Sequence, residues 1–368
     1  SLKNKNVLTS KTGYYHTKTK NIYFRHEVVL KHPDYTLYAD TLGYHIPTET
    51  AHFMGPSTIL TKNHEIYTES GWYNTKKQLS MLTKNASVAT SSRMVKADTL
   101  EYDNKNERGW AAGHISFTDT TENIELRGDK ATYDEANRKI EITKNPLMLR
   151  FFEKDTLFMG ADSILSHQPD SGKALVRAFH NVKFFKTDLE GICDSMVYNE
   201  PDSSLRFFND PVMWYGNSQL TADHIHMVIR GRKISRAYLQ LNAFIISAAD
   251  TIGHNQVKGR NMTAYFNENK ISKVRVYGNG QAVYYMGEEG KPYMGMNRTD
   301  CSDIELRMND GKISGIVFIT EPDATIFPIN GINPKDKELK NFNWRAKDKP
   351  GRFYLPEKDA ELEGKLEK

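Results

Sequence analysis

The residues best suited to chemistry are a run of aspartates and one histidine pair. Asp40, Asp98, Asp129, Asp162, Asp194 and Asp223 each follow a small residue and precede an alternating stretch. Carboxylates gathered together could ligate calcium or, in pairs, serve as the acid and base of a glycosidase. Spread evenly along a chain, they suit a bend instead, where their oxygens accept backbone N–H bonds. His224-Ile-His226 puts two imidazoles on one strand face, half of a zinc site, but no further ligand has matching spacing. Cys193 and Cys301 are the only cysteines and form no metal or redox motif. A nucleophile elbow, a phosphate loop and a dinucleotide fingerprint are all absent, and Gly278-Asn-Gly280 reads as a turn. The expectation is a chain with no catalytic residue, no metal and no cofactor: not an enzyme.

The elements that carry these aspartates recur. The phrase is a small residue, Asp, then an alternating run often ending in Tyr: Ala39-Asp40 to Tyr44, Ala97-Asp98 to Tyr102, Gly128-Asp129 to Tyr133, Ala161-Asp162 to Leu165, Cys193-Asp194 to Tyr198 and Ala222-Asp223 to Met227. Weaker copies are read at Gly71, Asn261 and Asp303, so that consecutive marks lie 27 to 42 residues apart. A second mark, Asn or Gly before an apolar pair, follows each: Gly113-His-Ile-Ser-Phe117, Asn145-Pro-Leu-Met-Leu149, Asn181-Val-Lys-Phe184 and Asn209-Asp-Pro-Val-Met-Trp214. Turn clusters such as Asp103-Asn-Lys-Asn106 and Asp134-Glu-Ala-Asn137 lie between the marks.

Period-2 alternation around each Asp predicts strands with one dry and one wet face. A strand is expected to bend at the small-Asp pair, and its partner at the second mark, where Pro146 and Pro211 argue for a break. The fold class is therefore all-β: an elongated, folded antiparallel sheet built from repeated kinked strand pairs, with a single-wound parallel β-helix as the alternative. Residues 1–330 form the repeated body, as one piece or two consecutive lobes. Residues 331–368 form a charged, partly flexible extension, in which Asn341 to Arg345 and Lys349 to Arg352 are expected to pack back as an edge cover or anchor. The inner-face candidates are Leu100, Tyr102, Ile115, Phe117, Leu126, Tyr133, Ile142, Leu147, Leu149, Val182, Phe184, Met196, Tyr198, Val212, Trp214, Ile225 and Met227.

Composition agrees. Hydrophobic residues are 38%, low for a globular chain, while aromatics are 11%. That combination fits strands with one solvated face rather than disorder. Net charge is only +4, with the signs interspersed, which excludes a basic stripe for nucleic acid. No apolar run is long enough for a transmembrane helix.

The phrases Ala97 to Asp103 and Gly128 to Asp134, with Gly113-His-Ile-Ser-Phe117 between them, resemble the OstA-like (organic-solvent-tolerance) family, which includes the lipopolysaccharide-transport bridge protein LptA and the N-terminal domain of LptD. The resemblance spans Tyr14 to Pro328 and is clearest from Val95 to Phe266. It implies a β-jellyroll, or β-taco, whose interior takes lipid A acyl chains, so that the inner-face candidates would bind lipid. It also implies end-strand pairing with other lipopolysaccharide-transport proteins, head-to-tail self-association, and a periplasmic location with attachment to the outer or inner membrane through partners. Competing readings are a structural repeat protein forming filaments or adhesive contacts, and a polysaccharide-active β-helix enzyme.

Overall fold

The computed structural model describes residues 7–353, apart from 154, 169–173, 232, 250–251, 269, 288–291 and 310–311. The end of the extension, 354–368, lies outside them. The chain divides into two compact units, Ser1–Ala174 and Leu175–Lys368.

The first unit holds β1 (Val7–Thr9), β2 (Thr12–His16), β3 (Asn21–His32), β4 (Tyr35–His45), β5 (Thr50–Thr61), β6 (Glu65–Asn74), β7 (Leu79–Ala89), β8 (Arg93–Asp103), β9 (Arg108–Asp119), β10 (Ile124–Asp134), β11 (Lys139–Thr143), β12 (Leu147–Phe151), β13 (Thr156–Gly160) and β14 (Ser163–His167). The second holds β15 (Leu175–Lys186), β16 (Leu189–Asn199), β17 (Ser204–Phe208), β18 (Val212–Tyr215), β19 (Ser218–Thr221), β20 (His224–Arg230), β21 (Lys233–Ala249), β22 (Gly253–Asn267), β23 (Lys270–Met286), β24 (Gly295–Asn309), β25 (Lys312–Ile319) and β26 (Asp323–Pro328), followed by short 3-10 turns. Every described pairing is antiparallel, as short turns require; most join successive strands, and those that skip, such as β1 with β3 and β11 with β14, do so where a strand is broken in two.

Each long strand bends once. Where the bend is sharp, one kinked strand is broken into two, as at Pro146 between β11 and β12 and at Pro211 between β17 and β18. The bends are of two alternating kinds. In one, two consecutive residues are left-handed: Lys84-Asn85, Lys144-Asn145, His180-Asn181, Asn209-Asp210 and Leu241-Asn242. In the other, the small-Asp pair sits in a register shift, as between Lys96 and Thr99. The two interlock. The N–H of Asp129, Asp194 and Asp223 donates to the carbonyl of the first left-handed residue on the next kinked strand, at 3.0, 3.3 and 3.0 Å. The carboxylates complete the joint, accepting from Asn145 on Asp129 (2.8 Å) and Asn242 on Asp223 (3.1 Å), and meeting the Nδ1 of His114 on Asp98 (2.8 Å). Left-handed backbone is costly for residues with a Cβ, least so for Asn, Asp and His, so the bonds hold an unfavourable conformation in place.

The joint also corrects the phase of the weak copies. The place of the aspartate is taken by Glu69, which accepts from Asn85 (2.8 Å), by Arg260, and by Ser302, whose N–H donates to Thr320 (3.3 Å). Gly71, Asn261 and Asp303 lie one or two positions further on. A copy not expected stands at Lys11, whose N–H donates to His26 and whose ammonium pairs with Glu27, a charge-reversed version of the same joint.

Turns at the other end of the strands are closed by a side chain and one left-handed residue. Asp103 Oδ1 accepts from Lys105 N and Asn106 N at 3.0 Å, and Glu107 closes the turn at φ 53°. Asp134, with Arg138 at φ 46°, and Asp119, with Asn123 at φ 52°, repeat the arrangement. The Asp that follows Tyr102 and Tyr133 is thus a turn cap.

Candidate functional site

Residues paired across an antiparallel ladder share a face, so register alone sorts every side chain. In the first unit one rung runs Leu8–Leu30–Leu37–Ile59–Ile66–Val88–Val95–Phe117–Leu126–Met148–Met159, apolar at every position. Beyond the bend a second runs Phe24–Leu42–Phe53–Gly71–Leu82–Leu100–Ala111–Ala131–Ile142–Ile164. Members of both rungs pack into one cluster around Val28, Leu37, Leu42, Phe53 and Leu82, so the two arms of the bent sheet face each other with these sides. This is the inner face.

A third rung, nearest the turns, alternates large and small: Tyr44–Ala51–Tyr73–Ser80–Tyr102–Gly109–Tyr133. The small neighbours leave room for each ring to lie across. The Tyr102 hydroxyl donates to Glu135, and burial with that carboxylate pushes its pKa well above the usual phenol value. Tyr133 is the most exposed of the row, at 37%.

The inner linings of the two units differ. In the first, Leu30, Ile59, Ile66, Val88, Val95, Leu100 and Phe117 all remain partly exposed. In the second, the rung Ala178–Met196–Phe207–Ile225–Leu239–Met262–Val276–Ile304 is sealed, with Leu239, Val276 and Ile304 at 0% exposure. Side-chain volume explains this. Gly71, Ala111 and Ala131 thin the second rung of the first unit, whereas large side chains hold most of the second unit's places. Cys193 lines the second unit beside Val182, and burial pushes its thiol up to about 12.

Thirteen sequence candidates therefore lie on inner faces: Leu100, Tyr102, Ile115, Phe117, Leu126, Tyr133 and Ile142 in the first unit, and Val182, Phe184, Met196, Tyr198, Ile225 and Met227 in the second. Four lie on the opposite, outer face. Leu147 and Leu149 pair across from Arg127 and Glu125, an ion pair at 2.7 Å, and Val212 and Trp214 share a face with Gln219 and Glu190. The cause is the left-handed doublet. The residue just after each doublet points inward, as Val182 does after His180-Asn181. After Lys144-Asn145 and Asn209-Asp210 that residue is Pro146 or Pro211, so Met148 and Met213 are the inner residues and an alternation counted from the residue after the proline is displaced by one. Inner residues that sequence reasoning missed include Val95, Met148, Met159, Leu239 and Val276. Alternation from the second mark would have found them once the two left-handed positions were counted.

Neither edge strand has a partner on its outer side among the described residues. β1 and β2 pair only with β3, and β25 and β26 only with β24. His224 is exposed and lies edge-on to Phe208, while His226 tilts on Tyr238 (5.6 Å). No group of three metal-ligating side chains occurs among the described residues, and no described helix is long and apolar enough to cross a membrane.

These faces and edges can be set beside known proteins. Residues 1–40 match the family model of OstA-like proteins. The OstA-like resemblance is thus borne out, on the first strands rather than over Val95 to Phe266, where the repeats are clearest. Among solved structures the chain is similar to LptH of Pseudomonas aeruginosa, the LptA-homologous periplasmic component of its lipopolysaccharide transport device. Identity is 14%, coverage is 32% of this chain and 95% of that one, and the TM-score is 0.29. No curated protein sequence matches the chain.

Proposed function

We propose that the chain is a periplasmic, non-enzymatic factor of lipopolysaccharide transport and outer-membrane assembly, which holds lipid A acyl chains against the inner face of its first unit. The observation that carries this reading is the rung from Leu8 to Met159, apolar at every strand yet partly exposed along much of its length. Burying a methylene is worth about 0.8 kcal/mol, so a twelve-carbon chain laid along such a rung gains roughly 9–10 kcal/mol gross, with no polar lock. The OstA-like match at residues 1–40 supports the same class. The unpaired edges supply the N–H and C=O groups that a partner's strand, or a second copy head to tail, would take up. Attachment to either membrane would then run through those partners.

Photo-crosslinkers at Ile59, Leu100 and Phe117, compared with Leu239 and Ile304, test the reading. Lipopolysaccharide adducts from the first set and none from the second are expected. Failure at every position would remove the lipid reading. It would leave a structural repeat protein joined by its edges, the alternative favoured by the sealed interior of the second unit.

A further inference from the structure

A track on the outer face of the second unit holds the chain's own C-terminal segment, which runs along it in short stretches broken by turns at Leu339–Phe342 and Ala346–Asp348. One outer row of the sheet runs Glu190–Trp214–Gln219–Ile246–Gln256–Val283–Arg298 across β16, β18, β19, β21, β22, β23 and β24. The C-terminal segment 336–351 lies along it, at right angles to the strands, and the polar members of the row all hold its backbone. Arg298 donates to the carbonyls of Asp336 and Glu338 at 3.0 and 3.3 Å. Gln256 donates to Lys337 O (2.7 Å) and accepts from Leu339 N (2.8 Å). Gln219 repeats the grip six residues on, donating to Asn343 O (2.7 Å) and accepting from Arg345 N (2.6 Å). Glu190 accepts from Gly351 N (2.9 Å).

Each glutamine amide thus pairs with the carbonyl of one residue and the N–H of the residue two further on, as a neighbouring strand would. Both glutamines are 1% exposed, so their bonds to the segment are made away from water. Apolar side chains fill the gaps between the grips. Leu339 is buried with Phe244, Ile246, Val283, Tyr285 and Met296, and His254 lies 5.2 Å from the Phe342 ring and 4.9 Å from that of Trp344. The fit is incomplete. Trp214 Nε1, in the same row, and Tyr285 Oη, in the same apolar cluster, are buried without a hydrogen-bond partner.

We infer that this track is a peptide-binding site, occupied in cis by the chain's own C-terminal segment and open in trans to the same segment of a second copy. Every copy carries the matching sequence, Leu339-x-x-Phe342-x-Trp344-Arg345, and the segment joins the sheet only through the short connection after Pro328. Recognition through backbone pairs, with apolar pockets for spaced side chains, is the chemistry of strand-like peptide capture. Exchange of one terminal element between copies is a low-cost route to association. The two orphaned polar groups would gain water whenever the segment lifts, which favours exchange over permanent closure. This inference is independent of lipid binding.

The test uses the full chain with a protease site inserted between Gly331 and Ile332. After cleavage the sheet signal in circular dichroism should persist. A labelled synthetic peptide of residues 334–353 should replace the nicked segment, and should also bind the uncut chain at high concentration. Gln219→Ala with Gln256→Ala should speed release at least tenfold, and the peptide with Phe342→Ala and Trp344→Ala should compete at least tenfold less well. Loss of the sheet signal on cleavage, refusal to exchange in the folded state, or equal competition by a scrambled peptide would each overturn the inference.

Discussion

At the scale of single residues, the bend depends on a conformation that most side chains resist. Asn145 is left-handed and its amide reaches Asp129. Asn145→Gly should stay within about 1 kcal/mol of the parent, because glycine enters that region freely even as the bond is lost. Asn145→Val should cost about 2 kcal/mol or more, since a β-branched residue resists it; urea midpoints measure both. The turn caps give a pH signature. Hydrogen bonds from Asn106 to Asp103, and from Asn137 to Asp134, hold both carboxyls below the usual range. The folded state therefore binds fewer protons than the unfolded one. The stability these groups add is present above the unfolded value of about 3.9 and is lost as pH falls through it towards the lower folded values. Asp103→Ala with Asp134→Ala should be less stable at pH 6 and lose less on going to pH 3, as followed by thermal melts. The aspartates were legible as bend residues because their spacing repeats. Their partners were not, since nothing marks Lys144 or Leu241 as left-handed except the Asn that follows.

At the scale of elements, the alternation of one strand fixes a face only as far as its bend. Leu100, Phe117 and Met196 fall on the inner face because the count in their strands starts from the small-Asp pair or from Ile115, the residue just after the left-handed Gly113-His114. Leu147, Leu149, Val212 and Trp214 fall on the outer face, because the inner position just after their doublets is taken by Pro146 or Pro211 and the count began one residue later. The contrast between the linings is testable in the same terms. Ala131→Leu adds methyl groups to a rung that is partly exposed, and should change stability by under about 1.5 kcal/mol. Ala264→Leu adds them where exposure is 0%, and should cost about 1–3 kcal/mol through overpacking. Denaturant melts of the two variants would separate an underfilled inner face from a full one.

At the scale of the whole chain, the kinked strands number twenty among the described residues, counting each broken strand once, and the two kinds of bend alternate, with Gly55 alone standing for the doublet in β5. The first, β1 with β2, has the Lys11 joint; the last, β25 with β26, has the left-handed Thr320-Glu321 doublet. The two unpaired edges are therefore of opposite kind, and a copy added head to tail would continue both the antiparallel order and the alternation. Leu8→Cys mixed with Ile326→Cys places thiols on the inner face of matching arms. The mixture should give a disulfide-linked dimer under mild oxidation while neither variant does so alone. Equal crosslinking within one variant would argue for a symmetric joint instead. The repeat made the number of strands nearly countable beforehand. The division after Ala174 was not, because the Pro169-Asp170-Ser171-Gly172 stretch before it reads as one more turn cluster.

The interlocked joint has a consequence for how such a chain can change length. Each bend needs its complement on the strand beside it, so removing one strand would set two bends of the same kind against each other and reverse the direction of all that follows. Gain or loss must come in pairs, a step of about thirty residues. Excising 98–128, one whole pair, should leave a shorter protein with both ends unchanged, whereas excising a single strand should not fold. Relatives that share this joint should differ in length by multiples of that step, with smaller differences confined to the turns.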